Sequence, residues 1–96
     1  MGETQDDFTR QYEWNPEIAC RTLEHTAFIL HRSKMMSLNE VGTFIWEQFR
    51  NPKTIGCVVN AVLEEFDTAR EVATLDVNSF CEHLVEREIL TEVDRE

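Results

Sequence analysis

Hydrophobic positions recur along this chain with two spacings, and the change between them divides it. Between residues 18 and 38 the apolar residues come in short runs broken by polar ones. Residues 18–23 alternate Ile18, Cys20 and Thr22 against Ala19, Arg21 and Leu23, and residues 27–31 are dense in strand formers. Residues 35–38 are a third, weaker strand. Glu24-His25-Thr26 and Arg32-Ser33-Lys34 are the intervening turns, and links this short predict an antiparallel meander. Neither turn contains Gly or Asn-Gly, so the register is left open.

From Asn39 onward the spacing becomes helical. Val41, Phe44, Ile45 and Phe49 fall on one face behind Asn39, a good N-cap. Ser37-Leu38-Asn39-Glu40 is also a capping box, which moves the start by about two residues. Asn51-Pro52 ends this helix. Thr54 caps a second with the cleanest stripe: Ile55, Val58, Val59, Val62, Leu63 and Phe66. Thr68-Ala69-Arg70-Glu71 is another capping box. It predicts a long third helix carrying Val72, Leu75, Val77, Phe80, Cys81, Leu84 and Val85, after which Ile89-Leu90 closes the core. The predicted fold is α+β and winged-helix-like, a three-stranded antiparallel sheet followed by three helices. Residues 1–13 read as a flexible tail, 14–91 as the domain and 92–96 as a charged tail.

Composition narrows the function. The chain has 96 residues, of which 42% are hydrophobic, enough for one small core and too many for a disordered chain. Nine Lys and Arg face nineteen Asp and Glu, a net charge of −10 that argues against nucleic acid and anionic membranes as partners. A binding module is a better expectation than an enzyme at this size. Cys20, Cys57 and Cys81 are too few and too scattered for a disulfide framework or a zinc site, and fit reduced thiols in the cytoplasm. No apolar run approaches the ~20 residues of a membrane span, and residues 1–6 resemble a myristoylation site except that Asp6 stands where Ser or Thr is required.

No catalytic constellation, metal motif or cofactor-binding loop is visible. His25, His31 and His83 lack companions at ligand spacing, and Cys81 and His83 are poorly placed on one helix to form a dyad. The third helix holds five acids against two bases between Arg70 and Glu88, wrong for a DNA recognition helix. Residues 21–53 are mildly basic and residues 54–96 strongly acidic. A groove between the third strand and third helix therefore has walls of opposite sign and suits a peptide of mixed charge. The third strand is also a sheet edge, open to β-augmentation. Met35 and Met36 either give adaptable contacts there or serve the core or self-association.

Leu38-Asn39-Glu40-Val41-Gly42-Thr43-Phe44-Ile45-Trp46 resembles the L-N-E-x-[AG]-x-x-I-W segment of PqqD-like proteins. The resemblance continues through Pro52-Lys53-Thr54-Ile55, Val62-Leu63-Glu64-Glu65-Phe66-Asp67, Asp76-Val77-Asn78-Ser79-Phe80 and Leu84-Val85-Glu86-Arg87, with Asn15-Pro16-Glu17-Ile18 as the lead-in. It covers about residues 14–90. It implies a non-catalytic peptide chaperone, a RiPP recognition element, without a cofactor. Such proteins bind the leader of a ribosomally made precursor peptide as an added strand, between third strand and third helix. They present it to a modifying enzyme, often a radical-SAM protein, and in the namesake pathway the product is pyrroloquinoline quinone. On this reading Met35, Met36 and Ser37 line the strand side and Leu75, Asp76, Ser79, Phe80 and His83 the helix side, with Leu75 and Phe80 alternatively core. The expected partners are a precursor peptide and its modifying enzyme, with the chain a monomer or weak homodimer. The alternative is a winged-helix adaptor or transcription regulator. Where the family has Gly after the last helix this chain has Glu88, which predicts that the Gly cap is absent and the helix runs on.

Overall fold

In the computed structural model, which describes residues 10–93, the chain runs β1 (Gln11–Trp14), β2 (Ala19–Leu23), β3 (Thr26–His31), β4 (Lys34–Ser37), α1 (Glu40–Gln48), β5 (Lys53–Thr54), α2 (Ile55–Glu65), α3 (Arg70–Glu86) and β6 (Leu90–Glu92). Strands β2, β3 and β4 form the expected meander in that order. Both of its turns are two-residue links whose central residues have positive φ, Glu24 and His25 in one, Arg32 and Ser33 in the other. That is the hairpin geometry whose twist matches the strands, here adopted without glycine. The turns fix the register: Cys20, Ile29 and Met36 share one row, and Ala19, Leu30 and Met35 the next. Ala27 and Ile29 are buried against the helices. Leu30 and Met35 lie on the outer face, where Met35 is 66% exposed.

The Asn39 side chain accepts a hydrogen bond from the Gly42 N–H at 2.7 Å, which caps α1. Thr54 caps α2 in the same way, at 3.2 Å from the Cys57 N–H. Helix α3 departs from expectation at both ends. It starts at Arg70 with Ala69 as N-cap and no side-chain cap, so the Thr68 capping box does not form. Thr68 falls one residue outside the cap position. At the other end the helix stops. The Ile89 N–H reaches the Leu84 carbonyl at 2.8 Å and the Glu88 N–H the Val85 carbonyl at 3.0 Å, a Schellman pair with Glu88 at φ 64°. The missing glycine therefore does not extend the helix, because burying Ile89 and Leu90 requires the chain to turn back.

Trp46, Phe49, Ile45 and Ile29 are the largest side chains of the core. α3 contributes Ala73, Val77, Cys81 and Leu84 to it, whereas Val72, Leu75 and Val85 are exposed. Thr22 of β2 and Arg50 both donate to the Glu47 carboxylate, at 2.5 and 2.6 Å, which ties the sheet to α1. Burial raises the Glu47 pKa, but these two bonds and the Arg50 charge together outweigh it and hold the carboxyl below its ordinary value.

A second antiparallel sheet, β5-β1-β6, forms from segments the sequence pattern left without structure. Tyr12 pairs with both Lys53 and Glu92, and Trp14 with Leu90. Residues 11–13 and Glu92 are thus strand rather than tail. Their partners lie far away in sequence, so no local alternation announces them. The remainder of both tail readings, and the N-terminal motif, lie outside the described residues. Trp14 joins the two halves. Its ring stacks on Trp46 at 4.6 Å and lies under the Arg50 guanidinium, and its indole N–H donates to the Trp46 carbonyl at 2.8 Å.

Candidate functional site

Strand β4 pairs with β3 alone, so among the described residues it is a sheet edge. Antiparallel pairs alternate between those that exchange hydrogen bonds and those that do not. The Leu38 N–H donates to the Ala27 carbonyl at 2.9 Å, which sets the phase. By that phase Lys34 and Met36 turn their backbone groups to β3, while the N–H and C=O of Met35 and Ser37 point outward. Where the ladder ends, buried Thr43 of α1 takes the place of one of its bonds. Its hydroxyl accepts from the Ala27 N–H at 2.9 Å and donates to the Leu38 carbonyl at 3.3 Å.

Facing this edge, α3 brings Arg87 toward Lys34 and Met36 and Phe80 toward Gly42, so it runs opposite to β4, and a groove of about 540 Å³ lies between them. Met36 forms the strand wall, and Leu38, Val41, Gly42 and Ile45 form the floor. The helix wall rises at Asp76, Ser79, Phe80, His83, Leu84 and Arg87. At Gly42 a Cβ would crowd the capping Asn39 Oδ1 at 3.1 Å and would stand in ordinary contact with the Phe80 ring at 3.6 Å. The two ends of the helix wall differ in charge, Asp76 at one and Arg87 at the other.

Of the residues expected at such a groove, Met36, Asp76, Ser79, Phe80 and His83 come together. Met35 and Ser37 do not bring their side chains, which follow the pleat to the outer face; their backbone is what faces the edge. Leu75 is 68% exposed, neither core nor lining. Phe80 is half-buried and packs on the core while lining the groove. The floor residues and Arg87 were missed. A helical step from Asp76 through Phe80 and His83 reaches Arg87 and skips Leu75, so spacing alone contained that signal.

Cys81 is buried on the inner face of α3, and burial, with help from the Glu82 charge, pushes its thiol up to about 12. A thiol that stays protonated at neutral pH is a poor nucleophile. No three His, Cys, Asp or Glu side chains cluster as metal ligands among the described residues. Nor is any described helix long and apolar enough to cross a membrane.

The model of the family described as coenzyme PQQ synthesis protein D (PqqD) matches residues 24–90. The chain belongs to the PqqD family. The match runs from the first hairpin turn to β6 and so contains every part of the groove. A search of curated proteins finds no match. Among solved structures, TbiB1 in complex with the TbiA(beta) leader peptide is similar with a TM-score of 0.78 and 20% identity, over 86% of this chain and 99% of that one. Lasso peptide synthetase B1 complexed with the leader peptide is similar at 0.73 and 17%, over 83% and 96%. The heterocyclase TruD shares the fold at 0.65 and 18%, over 91% of this chain but 12% of TruD. At these identities the likeness is one of fold, and it extends over nearly the whole of two solved chains and a small part of the heterocyclase.

Proposed function

We propose that this PqqD-family chain is a leader-peptide chaperone. It binds the leader of a ribosomally synthesised precursor as a strand added to β4 and presents the rest to a modifying enzyme, a radical-SAM protein or another. The observation that carries this is the free edge of β4, with the backbone groups of Met35 and Ser37 directed outward across an apolar groove from α3. Two proteins of like fold are named as complexes with a leader peptide, in keeping with the same use here. The chain itself carries out no chemistry on this reading and leaves it to the enzyme. It acts in the cytoplasm as a monomer or weak homodimer.

Titration with the leader of a precursor encoded beside this gene, followed by amide NMR, tests the reading. The Met35–Leu38 amides are expected to shift, and a Met35→Pro variant, which removes one outward donor and no ladder bond, should lose binding while remaining folded. Binding that leaves those amides unmoved, or that survives the proline, rejects strand addition. Tight, salt-sensitive retention of mixed-sequence DNA would favour a regulator instead.

A further inference from the structure

The groove continues toward the β3–β4 turn. Met36 and Arg87 line both the groove and a second hollow of about 520 Å³ at the hairpin end of β4. Ile29, Met36 and Ile89 give this hollow an apolar floor, and His31, Lys34 and Arg87 give it a rim. Arg32 also borders it, but its guanidinium is paired with Glu88. The side chains of Lys34 and Arg87 have no ion-pair partner among the described residues. The Nε2 atom of His31 is buried there without a hydrogen-bond partner among the described residues. The nearby acids do not neutralise this rim. Glu88 is held by Arg32, and Glu86 borders a different hollow, with Arg10 and Tyr12.

Two uncommitted cations and an unsatisfied imidazole around an apolar floor stand out in a chain of net charge −10. We propose that this hollow takes the carboxylate of an Asp or Glu side chain carried by the leader peptide. The inference rests on the leader-binding reading and adds a side-chain requirement to it. A strand laid on β4 turns alternate side chains toward α3. One of them meets the apolar floor at Leu38, Val41 and Phe80. The acid reaches the Lys34–Arg87 rim about two or four positions away, since β4 and Leu38 span that length. Asp76, at the far end of the groove, disfavours the reversed placement.

A randomised peptide library joined to its carrier at the carboxyl end, so that no terminal carboxylate is free, tests this on the full chain. Selected binders should share an apolar residue and an Asp or Glu at the stated spacing. Exchanging that acid for its amide should weaken binding about tenfold. Selection on a Lys34→Glu/Arg87→Glu variant should yield Lys or Arg at the same position. Binders that shift the β4 amides but show no acid preference, or an unchanged preference in the double variant, overturn the carboxylate site and leave strand addition standing. Binders indifferent to Met35→Pro, or none at all, overturn both.

Discussion

Glu88 occupies a position whose backbone suits glycine, and its side chain offers partial compensation. At φ 64° a residue with a Cβ is strained relative to glycine. Against this, the carboxylate pairs with Arg32, and its carbonyl accepts from the Asn15 side chain at 2.6 Å. Both members of the ion pair are more than half exposed, so the pair contributes little. The carbonyl bond survives any substitution. Backbone relief therefore wins: Glu88→Gly should raise stability by about 0.5–1 kcal/mol. The check is a urea midpoint that rises at unchanged slope. A fall would mean that the Arg32 pair matters more than its exposure implies.

At the level of elements, legibility followed locality. The three meander strands, the three helices and the free β4 edge were readable because alternation and helical stripes repeat within a few residues. The β5-β1-β6 sheet was not, since its strands have two to four residues and pair across the length of the chain. Likewise Ala73 is buried where Leu75 is not, and a small residue signals core only weakly. Of the residues expected along the groove, Met36, Asp76, Ser79, Phe80 and His83 line it, and Met35, Ser37 and Leu75 do not. The groove's floor was not legible, because Leu38, Val41 and Gly42 meet α3 only through the tertiary fold. Thr43 is of this hidden kind, since its hydroxyl bridges β3 and β4 from a neighbouring helix. Thr43→Val keeps the shape but leaves the Ala27 N–H buried and unpaired, and should cost about 2 kcal/mol. Urea unfolding measures that loss, and faster amide exchange at Ala27 would locate it beside the free edge.

Across the whole molecule the −10 charge is uneven, and the unevenness matters more than the total. Acids crowd the helices, while the hairpin end of β4 gathers Arg32, Lys34 and Arg87 at the mouth of the groove. A peptide thus meets an apolar channel with a negative and a positive end, on a surface that otherwise repels acids. The joint between β1 and α1 lies elsewhere: neither Trp14 nor Trp46 lines the groove. These are the chain's two tryptophans, and they stack on each other at 4.6 Å with their planes 10° apart. Two indoles held this close couple their electronic transitions, so the fold carries its own optical gauge. The resulting circular-dichroism couplet should vanish in Trp14→Phe and persist unchanged when a peptide fills the groove. A modifying enzyme that lifts β1 away from α1 would announce itself by extinguishing that signal.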